Sequence, residues 1–292
     1  MPSNIVVLGS TGFVGTSTIK TLASRYSAQT QVRAATRDPS SDKAKALAAD
    51  NVMVVKGDMS DPASLDNIIQ KDDAVFVVTP GHIERTKLAI AGVDAAKRNG
   101  AKFVLVVSVL TTGTDSIFGR QFAPLEKHVQ ECGIPYSLVR LPFFIDNAFG
   151  NQEAIKGGKY YAPAKPDVVF TPVAVADVGE ACAAILADPS KHANTIYSLT
   201  SKPMTHKDIV AGFSKALGKP VEYVQVPYDA AKKSFMDLGM PEWQVDGVLE
   251  LFRYFDASAK VTNNPTDDIK KITGHDPLDA EAWMKSVKGA FA

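Results

Sequence analysis

The sequence predicts an α/β fold: a Rossmann-type, doubly wound parallel sheet with a smaller, mostly helical C-terminal substrate domain. Three observations carry this. Short β-rich apolar runs alternate with helix-like segments through the first half of the chain. The runs are apolar enough for strands covered on both faces. The first of them empties into the glycine-rich turn VVLGSTGFVG, which opens a helix.

In chain order the strand candidates are NIVVLG, QVRAAT, VMVVKGD, AVFVVTP, KFVLVVSV and YSLVRL. Helical patterns with start signals lie between them, as in SDPASLDNII, where Asp61 serves as N-cap and Pro62 as the first helical residue. After residue 143 the rhythm changes to aromatics, glycines and prolines (GGKYYAPAKP). FTPVAVADVGEACAAILAD and TIYSLTS then supply one more helix and a final strand of the sheet. From MTHKDIVAGFSKALG onward the pattern is mostly helical, opened by a capping box of Thr205 and Asp208. The expected division is residues 1–143 plus 168–200 as the dinucleotide-binding domain. Residues 144–167 plus 201–292 form a smaller lid over the carboxyl edge of the sheet.

Composition narrows the partners. With 45% hydrophobic residues in 292, a large core is available. Lys+Arg and Asp+Glu balance at 32 each, so no global field draws the chain to nucleic acid or an anionic membrane, and small ligands fit better. No basic segment followed by a long apolar run and cleavage site opens the chain, and no later run is long enough to span a bilayer, so a cytoplasmic location is expected. Five scattered histidines have no ligand spacing, and Cys132 and Cys182 sit singly in helical patterns as packing residues; neither a metal nor a disulfide is expected.

The turn carries the chemistry. Gly9, Gly12 and Gly15 stand where a tight turn, close approach of backbone to a pyrophosphate, and helix-strand packing each exclude a β-carbon. Ser10, Thr11, Phe13 and Val14 fill the positions around them, and the helix is expected to begin near Thr16. The second strand ends in AATRD, where Arg37 suits a 2′-phosphate, assisted by Lys43; Asp38, one residue on, would favour NAD instead. NADP(H) is therefore expected over NAD(H). Asp58 and Met59 end the third strand, with Asp58 either an adenine contact or a turn aspartate. Thr79, Pro80 and Gly81 after the fourth strand, Ser108 and Val109 in the fifth, Phe122, and Pro142, Phe143 and Phe144 after the sixth complete the expected cofactor crevice. His82 and Ser108 are the candidate proton donors, against a solvated loop histidine as the commoner outcome.

Together GSTGFVG, TRDP, GDMSD, GIPYSLVRLPFFIDN and DDIKKITGHDPLDAEAW resemble the NmrA-like branch of the atypical short-chain dehydrogenase/reductases over essentially the whole chain. The resemblance implies a Rossmann domain, a small C-terminal domain and NAD(P)(H) in the crevice. Short-chain dehydrogenases generally carry Tyr-x-x-x-Lys on the helix after the fifth strand, one turn apart on one face, the tyrosine to protonate the carbonyl oxygen and the lysine to lower the tyrosine pKa and hold the ribose. Aligning Glu126 with a glutamate that often follows the lysine puts Phe118 at the tyrosine position and Phe122 at the lysine position. Pro124 further predicts that this helix starts near Ala123, with Leu125, Val129 and Cys132 on its apolar face and Lys127 and His128 toward solvent.

Losing a positioned acid forfeits on the order of a hundred- to ten-thousandfold in rate, which disfavours ketones. Quinones and triphenylmethane-type dyes delocalise the incoming electron pair and need chiefly positioning. The expected function is thus hydride transfer from NADPH to a conjugated acceptor, with Phe118, Phe122, Phe143, Phe144, Phe149, Tyr160, Tyr161 and Trp243 in segments suited to flat apolar substrates or to plain core packing. The alternative is a non-catalytic NAD(P)-binding redox sensor that acts through a protein partner. Oligomeric state stays open.

Overall fold

The computed structural model describes residues 2–291. The first half runs β1 (Ser3–Leu8), α1 (Phe13–Arg25), β2 (Thr30–Thr36), α2 (Asp42–Lys45), β3 (Val52–Lys56), α3 (Pro62–Asp66), β4 (Ala74–Val77) and α4 (Arg85–Arg98). It continues with β5 (Phe103–Val109), α5 (Ile117–Glu131), β6 (Tyr136–Leu141), α6 (Gln152–Lys156), β7 (Lys159–Ala162), α7 (Val175–Ala187) and β8 (Thr195–Ser198). The remainder is α8 (His206–Leu217), β9 (Glu222–Gln225), α9 (Tyr228–Asp237), α10 (Glu242–Asp256), α11 (Asp268–Thr273) and α12 (Ala280–Phe291). Among the described residues the central sheet has seven strands in the order β3-β2-β1-β4-β5-β6-β8, all parallel. Order reverses between β1 and β4, which places a ligand crevice at their carboxyl ends.

Alternate residues of each strand serve opposite faces. Ile5 and Val7 of β1 pack with Ile19 and Leu22 of α1 and with Cys182 and Ile185 of α7. Val6 and Leu8 pack with Ala89 and Val93 of α4 and Leu125 and Val129 of α5. Two covered faces explain why the strand segments are apolar throughout. The α1–α7 contact is close: a β-carbon on Gly179 would lie 2.1 Å from Ser17 Oγ.

A third core joins Phe143 and Phe170 to Phe213 of α8, Phe252 and Phe255 of α10 and Trp283 of α12, beside the two-stranded parallel sheet of β7 and β9. Thr205 and Asp208 form the capping box of α8, each side chain bonding the other's backbone N–H. The chain then returns to the first layer. Ile269 of α11 is fully buried beneath α7, the Ser198 N–H donates to Asp268 Oδ2 at 2.9 Å, and the Thr266 hydroxyl donates to the Ser198 carbonyl, covering the outer edge of β8. Among the described residues no helix is long and apolar enough to cross a membrane.

Two helix starts differ from the sequence expectation. Helix α1 begins at Phe13 rather than near Thr16, because the Gly12 N–H closes a turn onto the Gly9 carbonyl and Gly12 becomes the N-cap. Helix α5 begins at Ile117 rather than near Ala123, and Pro124 lies inside it. Ser116 Oγ accepts the Gly119 N–H at 2.9 Å, satisfying a donor that the first turn leaves free. An interior proline costs about 3 kcal/mol. Burying most of Phe118 and Phe122 offsets it, at roughly 1.5–3 kcal/mol for each fully buried ring.

Candidate functional site: a nucleotide cleft and an adjoining aromatic cavity

A cleft of about 570 Å³ lies along the carboxyl ends of the sheet strands. It gathers Gly9, Thr11, Gly12, Phe13 and Val14 from the first turn, Arg37 after β2, and Asp58 and Met59 after β3. Thr79, Pro80, Gly81 and His82 follow β4; Ser108 and Val109 come from β5; Phe122, Pro142 and Phe144 close the far wall. Gly9 has φ +83°, and a β-carbon there would lie 2.9 Å from the Val78 carbonyl oxygen. One on Gly15 would lie 2.4 Å from the Gly9 carbonyl oxygen, so its absence lets α1 sit against the turn. Gly12 differs. Its β-carbon would find no protein atom nearer than Gly9 O at 3.4 Å, so this flank is open to the cleft. No side chain caps α1, and its first N–H groups stay available to an anion. A dinucleotide pyrophosphate fits this cradle.

Three expected cofactor residues lie elsewhere. Ser10 is fully buried and donates to the Ala35 carbonyl at 2.7 Å, tying the turn to β2 instead of lining the cleft. Lys43 is exposed on α2 and does not line the cleft. Phe143 faces the second cavity described below. Arg37 and Asp38 separate clearly. Arg37 is exposed on the cleft wall, whereas Asp38 folds back so that Oδ1 accepts the Ser40 hydroxyl at 2.6 Å and the Ser40 N–H at 2.9 Å. Those bonds hold its carboxyl below the usual range. Asp58 lines the cleft while also closing its own turn onto the Ser60 N–H at 2.9 Å.

The candidate donors are differently placed. His82 is exposed, and its Nδ1 accepts the Glu84 N–H at 3.1 Å, which leaves Nε2 to carry the proton. Ser108 is fully buried and donates to Glu126 Oε1 at 2.5 Å. Arg140 grips the same carboxylate through Nε at 2.9 Å and a terminal nitrogen at 2.6 Å. The Ser108 proton is thereby committed to Glu126. His128 pairs with Asp94 at 2.7 Å, and Lys127 is exposed.

The second cavity encloses about 220 Å³. Val109, Leu141, Pro142, Phe144 and Arg85 line both spaces, so the two adjoin. Its other walls are Phe118, Phe143 and Phe170, with Gln244, Val248, Leu251 and Phe255 of α10 as the roof. Helix α10 can lie on Phe118 because residue 247 is glycine; a β-carbon there would sit 2.6 Å from the ring's Cζ. The cavity is mostly apolar, and the buried Thr111 hydroxyl in its wall has no partner among the described residues. Other expected aromatics are structural: Phe149 packs on Phe291 at 5.1 Å, and Tyr160 is in the third core. Tyr161 is partly exposed outside the cavity, and Trp243 stacks on Arg85. Arg85, Gln244, Val248, Leu251 and Phe255 carry no expectation from the sequence. The amphipathic run WQVDGVLELF is the signal that marks α10; Arg85 carries none.

The chain is similar to known proteins over nearly its whole length. The NAD(P)H azoreductase of Xenophilus azovorans is 28% identical over 291 residues, covering 98% of this chain and 99% of that one. Quinone oxidoreductase 2 of Escherichia coli (strain K12) is 25% identical over 276 residues, 93% of this chain and 94% of that one. The E. coli NADPH-dependent quinone oxidoreductase QOR2, solved with NADPH, superimposes with a TM-score of 0.82 at 24% identity over 99% of this chain and 100% of that one. NmrA, a negative transcriptional regulator solved with NAD, gives 0.82 at 21% identity over 98% and 95%. The fold thus accommodates both enzymes and a regulator. The model of the NmrA-like family matches residues 1–284, and the chain belongs to that family.

Proposed function

We propose that this protein is an NADPH-dependent reductase that passes hydride to a conjugated acceptor of quinone or dye type. The observation that supports it is the junction of the two cavities: a nucleotide-shaped cleft meets a mostly apolar, aromatic-walled space across Val109, Leu141, Pro142 and Phe144. NADPH, when bound, supplies the hydride. The first-turn N–H groups at Phe13 and Val14 hold its pyrophosphate, and Arg37 holds its 2′-phosphate. Thr79 donates its hydroxyl to the Val107 carbonyl at 2.8 Å, which fixes the loop that flanks the reacting end of the cleft. The aromatic walls exclude water and set a flat acceptor against that end. Phe118 and Phe122 offer no proton, so the acceptor must stabilise its own added charge or find another group to do so.

Steady-state NADPH oxidation tests the reading against naphthoquinones, azo dyes and simple ketones. Turnover of the conjugated acceptors, with ketones at least about a hundredfold slower, is expected. Silence with all acceptors while NADPH binds would replace the enzyme by a redox-reporting regulator. Arg37→Glu should weaken NADP(H) at least about tenfold more than NAD(H), because only the former presents a phosphate there. Equal loss of both by fluorescence titration would remove Arg37 from that contact.

A further inference from the structure

Arg85 opens α4 and is only 9% exposed, yet among the described residues no carboxylate lies within 4.0 Å of it. Among the described residues its side chain makes one hydrogen bond, a long one from Nε to the His82 carbonyl at 3.4 Å. Three rings surround the guanidinium: Trp243 at 4.8 Å, Phe118 at 5.4 Å and Phe122 at 5.6 Å. Two of these stand where the resemblance places a tyrosine and a lysine. They do more than vacate those positions; they build the cage that holds a different cation.

A buried charge without a partner is costly, and aromatic faces recover only part of the cost. Two other largely buried guanidinium groups do have carboxylate partners, Arg33 with Asp73 and Arg140 with Glu126. Burial draws the Arg85 pKa down to about 10, which still leaves it charged at neutral pH. Its position explains the arrangement: Arg85 lines both cavities, at their junction. An unpaired cation at the point where an acceptor meets the nicotinamide end has its counter-ion in the acceptor.

We infer, on the reductase reading above, that Arg85 is a catalytic residue that pairs with negative charge on the acceptor, so that this site favours neutral carbonyl-type and anionic acceptors over cationic dyes. For a quinone, the acceptor gains an electron pair and one hydrogen from NADPH and its second hydrogen from water. The sum is quinone, NADPH and one proton to hydroquinone and NADP⁺. Arg85 faces the intermediate hydroquinone anion before that proton arrives. A cationic triphenylmethane dye becomes neutral on accepting hydride and gains nothing from the guanidinium.

The test compares 1,4-naphthoquinone, a sulfonated naphthoquinone and a cationic triphenylmethane dye with the wild type, Arg85→Met and Arg85→Lys. Arg85→Met should lower kcat/KM for both quinones at least about tenfold and for the cationic dye far less, with Arg85→Lys retaining part of the quinone activity. NADPH affinity should hold, and the Tm of Arg85→Met should stay level or rise, since an uncompensated buried charge is removed. Equal losses for all three acceptors, or none, would overturn the assignment, as would a Tm drop that tracks the activity loss. Binding of the sulfonated naphthoquinone to the NADP⁺-loaded protein gives a readout independent of turnover. Loss of that binding in Arg85→Met in a wild-type background that turns over nothing would uphold the anion site and refute the reductase.

Discussion

Gly12→Val is expected to raise the dissociation constant for NADP(H) by roughly a hundredfold or more, while the protein stays folded. Gly12 has φ −77° and ψ 166°, a conformation that valine adopts readily, so the backbone gives no reason for the loop to rearrange. The first added carbon would clear the protein, with Gly9 O at 3.4 Å, and the branched methyls must then point into the cleft. They occupy the space over the first turn of α1, where free N–H groups are the binding asset. Valine is a poor N-cap, and about 1 kcal/mol of stability should go with it. Titration with NADPH beside a thermal melt separates the two effects. A melt lowered by only a few degrees with binding gone is the expected pair; retained affinity would mean that the phosphates lie elsewhere. Gly12→Ala should fall between, because a single methyl fits beside the turn.

The second large effect concerns stability. Glu126→Ala should destabilise the fold by about 3–5 kcal/mol, the range for breaking a buried ion pair by removing one partner. Glu126 is 3% exposed and accepts from both Arg140 and Ser108. Without it, among the described residues, a largely buried guanidinium loses its only carboxylate, and the Ser108 hydroxyl keeps only Thr112 at 3.1 Å. In a chain of this size the melting point should fall by roughly 10 °C. The double variant Glu126→Leu/Arg140→Met removes both charges and should recover most of the loss. If Glu126→Ala costs under about 1 kcal/mol by denaturant titration, solvent is screening the pair and the network is ornamental.

The sheet was legible because both of its faces are covered. Val6 and Leu8 satisfy one layer while Ile5 and Val7 satisfy the other, so β1 and its neighbours read as unbroken apolar runs. The glycine turn was legible for the same kind of reason: each glycine answers a separate steric demand. What escaped depended on long-range partners. β7 and β9 are four residues each, some sixty apart, and pair only because the third core holds them; KYYA and EYVQ look like loop edges. Pro124 argues for a shorter α5, and the Ser116 cap and the ring burial outweigh it. Arg85 begins a helix in a polar stretch, GHIERTK, and reads as a solvated first-turn residue. Only the arrival of Trp243 from α10, far along the chain, turns it into a buried cation.

The return of α11 to the first layer bears on how the chain is made. Ile269 belongs to the same core as Ile5 and Cys182, and the Leu278 N–H donates to Asp177 Oδ2 at 2.9 Å on α7. A nascent chain that has completed every strand of the central sheet therefore still shows the flank of α7 and the edge of β8 to solvent. Those surfaces close only when residues 266–278 have left the ribosome. The nucleotide half cannot finish first and wait for the rest; the two halves should fold, and melt, as one cooperative unit.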